Sequence, residues 1–148
     1  MLDFKKILLP VDMSDFSLQV AEEAVNFAEK VGAQEIIILS VVNVVNYSQS
    51  YINAIDFDQM NSTIQRHFSK ELDKLTESLK GKKIPVRSLI LEGNPYAEIV
   101  DYAEKNDVDL IIIGSHGYTG IDRFLLGSVA ERVVRKAKCP VLTVRMKG

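Results

Sequence analysis

Asp109-Leu-Ile-Ile-Ile-Gly114-Ser-His-Gly117, continuing through Gly120 to Gly127-Ser-Val-Ala-Glu131, is the stretch whose reading decides the fold. An apolar run, Leu110 to Ile113, stops at Gly114; glycines recur at 117, 120 and 127, and a helical pattern opens at Ser128. A buried strand that breaks into glycines and restarts at a helix N-terminus is suited to binding anions. Glycine lets the backbone come close to a ligand and adopt positive φ. The free N–H groups of a helix start, together with the positive end of its dipole, attract phosphate. The stretch therefore predicts a phosphate-bearing ligand, a nucleotide, near residues 114–129.

Working outward, the same kind of apolar run recurs at Lys6–Val11, Glu35–Val42, Val86–Leu91, Val108–Gly114 and Val141–Arg145. These runs are rich in Ile, Val and Leu with little polar alternation, as expected of parallel strands covered on both faces. Amphipathic segments lie between them. Ser14–Val31 puts Leu18, Ala21, Val25 and Ala28 on one stripe, with Asp12, Ser14 and Asp15 as cap or first-turn candidates and Gly32 at its end. Asp58–Leu79 spaces Ile64, Phe68, Leu72, Leu75 and Leu79 helically and halts at Gly81. Pro95–Lys105 opens on a proline and ends near Asn106. Ser128–Ala137 opens with Ser128 and Glu131 in capping-box spacing, and Pro140 bars its extension. The order βαβαβαβαβ predicts an α/β doubly wound parallel sheet over residues 1–148 as one domain. The stretch Asn43–Phe57, with Tyr47, Tyr51 and Phe57 among polar residues, is long for a connection, and such loops often carry function as a lid or partner contact.

Composition narrows the function. Apolar residues are 47% and charged residues 26% of the 148, and the net charge of −2 implies no general affinity for nucleic acid. Arg132, Arg135, Lys136, Lys138, Arg145 and Lys147 form a local basic run whose simplest reading is a solvated helix face. A lone cysteine, Cys139, permits no disulfide framework and reads as a small core filler beside Pro140. No run approaches the roughly 20 apolar residues of a membrane helix, and the apolar segment at the N-terminus is too short for a secretion signal. These features predict a cytoplasmic protein.

In an open α/β sheet the ligand lies at the carboxyl ends of the strands where their order reverses. Were strands 1 and 4 neighbours, Asp12 would face the glycine segment across that crevice. The familiar phosphate loops are missing: there is no Gly-x-x-x-x-Gly-Lys-Ser/Thr, and no Gly-x-Gly-x-x-Gly follows strand 1. The turn Pro10-Val-Asp-Met-Ser-Asp-Phe-Ser17 has no glycine for a flavodoxin-type cradle, and Leu91-Glu-Gly-Asn94 lacks the aspartate of a receiver domain.

Gly114-x-x-Gly117, nine residues, then Gly127-Ser128 resembles the nucleotide-binding signature of the universal stress protein family. Lys5-Lys-Ile-Leu-Leu-Pro-Val-Asp12 resembles that family's first strand, and Ala130-Glu-Arg-Val-Val-Arg-Lys-Ala-Lys-Cys-Pro-Val-Leu-Thr-Val144 its closing helix and strand. The likeness covers the chain except Asn43–Phe57, and Met13 is its one departure in strand 1, where small or aromatic residues are common. It implies a Rossmann-like five-stranded sheet of order 3-2-1-4-5, a homodimer, and membership of the ATP-binding branch, since every motif glycine is kept. Carried over by position, it implies that Pro10, Val11 and Asp12 line a nucleoside pocket. Val41 would meet the adenine edge through its backbone and Ile113 would pack beside the base. Gly114, Gly117, Gly127, Ser128 and Val129 would cradle ribose and phosphates, and Ser115 and His116 would add backbone contacts. Arg123, inside the spacer, is within reach of a phosphate.

Two functions follow as expectations. The first is a regulatory protein whose ATP occupancy is read by a protein partner. The second is slow ATP hydrolysis aided by magnesium or manganese, for which the residues offer little: no water-positioning Glu or Gln is identifiable, and Asp12 and Asp122 are the acidic candidates. For assembly, the last strand, Val141-Leu142-Thr143-Val144-Arg145, is short, strongly β-forming and followed by only three residues. An apolar edge of that kind favours pairing with a second copy about a two-fold axis.

Overall fold

A computed structural model describes residues 2–43, 57–115 and 127–145. Its elements are β1 (Lys6–Val11), α1 (Ser17–Val31), β2 (Glu35–Val42), α2 (Phe57–Ser78), β3 (Val86–Glu92), α3 (Pro95–Lys105), β4 (Leu110–Gly114), α4 (Ser128–Lys136) and β5 (Val141–Val144). The strands form one parallel sheet in the order β3-β2-β1-β4-β5, as expected from the sequence. The chain builds outward from β1 to β3, then returns to the other side of β1 for β4 and β5. With right-handed crossovers, such a reversal moves the connecting helices from one face to the other. The packing agrees. Val20, Ala21, Ala24, Val25 and Ala28 of α1, Leu72 and Leu75 of α2 and Leu79 just past its end share a cluster with Ile7, Leu9, Ile36, Ile38, Leu110 and Ile112. Ile99 and Ala103 of α3 and Ala130 and Val133 of α4 cover the opposite face with Leu8, Ile37, Leu39, Ile111 and Ile113. Alternate residues of each central strand thus point into different cores, which is why these strands are apolar throughout rather than at every second position.

Local readings need four corrections. Ala21, Val25 and Ala28 are buried in α1 as expected, but Leu18 is 43% exposed, and Val20 and Ala24 complete the buried face; the helix also begins three residues later than its pattern indicated. None of Asp12, Ser14 and Asp15 caps that helix: Phe16 is its N-cap and no side chain accepts a cap hydrogen bond. Ser128 and Glu131 form no capping box. Gly127 is the N-cap of α4, so Ser128 is already in the first turn, and Glu131 pairs with Arg135. β4 starts at Leu110 and β5 stops at Val144, leaving Val108 buried ahead of its strand and Arg145 exposed beyond its own.

Glycine is required by geometry at two turns. Gly32 closes α1 at φ 72°, and its N–H reaches back to the carbonyls of Ala28 and Glu29. Gly93, after β3, has φ 142°, and a Cβ there would come within 2.7 Å of Glu98 Oε1. Cys139 is half-buried against the α3–α4 core, and burial pushes its thiol pKa up, consistent with a packing role. The connection at 44–56 lies outside the described residues.

Candidate functional site

The reversal of strand order sits beside β1, where β2 and β4 flank it. At the carboxyl ends of these strands opens a crevice of about 280 Å³, close to the smaller of the pockets that hold organic ligands, roughly 300–1,000 Å³. Pro10, Val11 and Asp12 enter it from β1 and the turn that follows, Leu39 and Val41 from β2, and Ile113 and Gly114 from β4. Gly127, Ser128, Val129 and Ala130 come from the start of α4, and Pro95 and Ile99 from α3. Asp12 and the two glycines therefore do face one another across the switch point.

The wall is chemically divided. Leu39, Val41, Ile99, Ile113 and Ala130 make an apolar slot on the α3–α4 face, suited to a flat ring. At the α4 end, Gly127 has no side chain to cap the helix, and among the described residues no other side chain does so. The leading N–H groups of a helix have no partner within it, so the start of α4 presents donors and a positive dipole end to the crevice. Gly127 has φ −59°, ψ 154°, a conformation open to other residues; if glycine is needed here, it is for close approach to a ligand.

Two features hold this end in place. The Ser115 N–H donates to the Val144 carbonyl (2.9 Å), and the Ser115 carbonyl accepts from the Gly127 N–H (2.6 Å). Ser115 is buried, and through its N–H and carbonyl it ties the end of β4 to β5 and to the start of α4. Arg132 stacks 5.1 Å from the centroid of Tyr96, and Lys138 Nζ donates to Glu104 Oε1 at 2.7 Å, tying α4 and its C-terminal end to α3. Arg132 and Lys138 of the basic run are thus engaged with α3, while Arg135 pairs with Glu131 within α4. His116, Gly117, Gly120, Asp122 and Arg123 lie outside the described residues.

The turn from β1 into α1 is unusual. Met13 sits at φ 60°, where non-glycine residues are uncommon. Asp12 steadies it, its Oδ1 accepting the Ser14 N–H at 3.0 Å, and the side chain of Met13 packs into the apolar cluster under α2. This turn brings two residues to the crevice that the motif reading passed over, Ser14 and Ser17, with Val20 one turn along. The spacing Ser14-x-x-Ser17, opposite the motif glycines, was the available signal. Among the described residues no group of three His, Cys, Asp or Glu side chains is placed to hold a metal ion, and no helix is long and apolar enough to cross a membrane.

The family model for the universal stress protein family matches residues 3–145. Universal stress protein MJ0531 of Methanocaldococcus jannaschii is 37% identical over 142 residues, which span 96% of this chain and 82% of that protein. The solved structure of MJ0577, from the same organism, superposes with a TM-score of 0.85 at 31% identity, covering 99% of each chain. A universal stress protein solved in complex with cAMP superposes with a TM-score of 0.63 at 24% identity, covering 97% of this chain and 98% of its own. With its sheet order, its glycine spacing and these matches over nearly its full length, the chain belongs to the universal stress protein family.

Proposed function

We propose that this chain is an ATP-binding regulatory protein of the cytoplasm, acting in the stress response through a protein partner that senses its nucleotide state. The observation that carries the reading is the crevice itself. An apolar slot and an uncapped helix start, lining one cavity, match a nucleotide's flat base and its phosphates. Pro10, Val11, Asp12, Val41 and Ile113 serve the nucleoside, and Gly114, Gly117, Gly127, Ser128 and Val129 the sugar and phosphates, with Ser115, His116 and Arg123 from the adjoining segment. The fold takes an adenine nucleotide in the relative solved with cAMP.

The backbone supports a preference for adenine. The Val42 carbonyl accepts from Gly93 N–H at 3.0 Å, so it faces β3. Backbone groups alternate sides along a strand, so the Val41 carbonyl faces β1, whose pairing with β2 ends at Val11 opposite Ser40. An acceptor is thereby aimed at the crevice. The adenine amino group can donate to it, whereas guanine offers another acceptor. A mismatch of this kind leaves buried polar groups unpaired, at about 1–3 kcal/mol each. Calorimetry should therefore show ATP binding at least about tenfold tighter than GTP; equal affinities would remove the Val41 assignment. Mass spectrometry of ligand released from the purified protein tests the nucleotide reading as a whole, and recovery of no adenine nucleotide together with no ATP binding would defeat it.

The assembly proposed is a homodimer through the β5 edge, Val141, Leu142, Thr143, Val144 and the adjoining Arg145. Pro140 and Val144 direct their carbonyls at β4, to Ile111 and Ser115 respectively. By the same alternation Val141 and Thr143 turn their backbone groups outward. That row of donors and acceptors is what a second copy would pair with.

A further inference from the structure

Two hydroxyls in the crevice have no hydrogen-bond partner among the described residues. Ser17 is 8% exposed, and its Oγ has no hydrogen-bond partner among the described residues; the Ser14 Oγ is likewise buried and without a partner. Both residues line the crevice, on the wall across from α4. A buried hydroxyl that gives up water without finding a partner destabilises the folded state, and each one in a native structure calls for an account. These two stand at the start of the 15-residue helix α1, which has no side-chain cap and no acidic residue in its first turn.

We propose that Ser14 and Ser17, with Asp12, form the sugar-reading subsite of this crevice, their hydroxyls being satisfied by the hydroxyl groups of a bound ribonucleotide. This inference rests on the nucleotide reading given above and specifies which atoms discriminate among nucleotides. The chemistry selects the sugar over the phosphates. Asp12 lies beside the two serines, its Oδ1 taking the Ser14 N–H at 3.0 Å. An ionised carboxylate accepts hydrogen bonds and repels phosphate, whereas each serine hydroxyl both donates and accepts. A vicinal diol has donors for the carboxylate and both donors and acceptors for the serines. The phosphates belong at the other end, where Gly127, Ser128 and Val129 open α4 and Glu131, the acidic residue of that turn, is held by Arg135. Charge thus sets the direction in which a nucleotide lies: base in the apolar slot, sugar on α1, phosphates on α4.

The test uses the full chain and three ligands, ATP and its 2′-deoxy and 3′-deoxy analogues, titrated by calorimetry into wild type, Ser17→Ala and Ser14→Ala. Wild type should bind ATP about tenfold tighter than at least one deoxy analogue, the effect of one or two hydrogen bonds. Ser17→Ala should weaken ATP by a similar factor and erase that preference, with Ser14→Ala acting in the same direction. The second readout is stability without nucleotide. Removing a buried hydroxyl that has no partner should raise the thermal midpoint of Ser17→Ala, so affinity and stability move in opposite directions, which a merely structural serine would not do. Equal wild-type affinity for all three ligands, ATP affinity in Ser17→Ala within about twofold of wild type, or a lowered midpoint would each overturn the assignment while leaving the nucleotide reading intact. Wild-type protein that fails to take ATP overturns both.

Discussion

At the amino end of the sheet, Asp109 Oδ2 accepts the backbone N–H groups of Lys5 (3.0 Å) and Lys6 (2.8 Å), while its own N–H donates to the Lys6 carbonyl (2.9 Å). Lys6 Nζ donates to the Asn106 carbonyl (3.0 Å), and Glu35 takes Arg87 Nε at 3.2 Å, a bond that raises the arginine's pKa. At the carboxyl end, among the described residues, the hydroxyls of Ser14, Ser17 and, in β2, Ser40 are buried without partners, the helices α1, α3 and α4 start without side-chain caps, and Met13 holds a left-handed backbone. The same five strands therefore finish in two ways. One end has its polar groups matched by side chains far away in sequence; the other keeps donors and acceptors turned toward a cavity. The contrast teaches where stability and ligand chemistry reside: substitutions at the amino end should change folding alone, and substitutions at the carboxyl end should change binding with little loss of fold.

The strongest way to break that contrast is Gly127→Val. Its backbone angles admit valine, so the protein should fold, yet the side chain would occupy the space a phosphate needs at the start of α4. ATP affinity should fall more than about 100-fold, some 2.7 kcal/mol, with an unchanged circular dichroism spectrum; a folded mutant of normal affinity would remove the phosphate site from α4. The counterpart at the other end is Asp109→Ala, which strips two backbone N–H groups of a charged acceptor. Denaturant unfolding should show a loss of about 2 kcal/mol with ATP affinity unaltered, and a change in affinity would show that the two ends are coupled.

Thr143→Pro probes the sheet edge near the open end. It removes an outward N–H and spares the ladder to β4, a position where strands tolerate proline. Sedimentation at micromolar protein should show dimer in the wild type and a dissociation constant at least about tenfold higher in the variant. A wild-type monomer, or an equally tight variant, would place association elsewhere or deny it. Aspartate at Leu142 or Val144, the sequence-based test of the same edge, is less clean because both side chains also pack on the α1-side core. The smallest effect belongs to Glu131→Ala. As half of a capping box its loss would cost about 1 kcal/mol, but as an exposed partner of Arg135 it should cost less than about 0.5 kcal/mol.

Much of this was legible in the chain. Ile36 to Leu39 and Leu110 to Ile113 are apolar at every position because both faces of the central strands are covered, and that density is what separates them from the amphipathic segments. Gly32 after α1 and Pro95 at the start of α3 mark helix limits through local backbone geometry, which a sequence carries directly. Likewise, glycines following an apolar strand were enough to locate the crevice. The start of α4 was harder. Ser128 lies one position inside its helix, and only the hydrogen bond between Gly127 and Ser115 shows why the helix begins there.

By itself, then, the sequence determined the alternation of strands and helices, the strand order through the family resemblance, and the residues around the switch point, since periodicity, turn chemistry and glycine spacing are local. Only the tertiary structure decided which polar groups find partners. Asp109 meets Lys6 across 103 residues, whereas the hydroxyls of Ser14 and Ser17, three residues apart and alike in sequence terms to any helix-start serines, meet no partner among the described residues. Whether a polar group is matched depends on what packing brings opposite it, and that is set by the arrangement of the whole sheet and its helices.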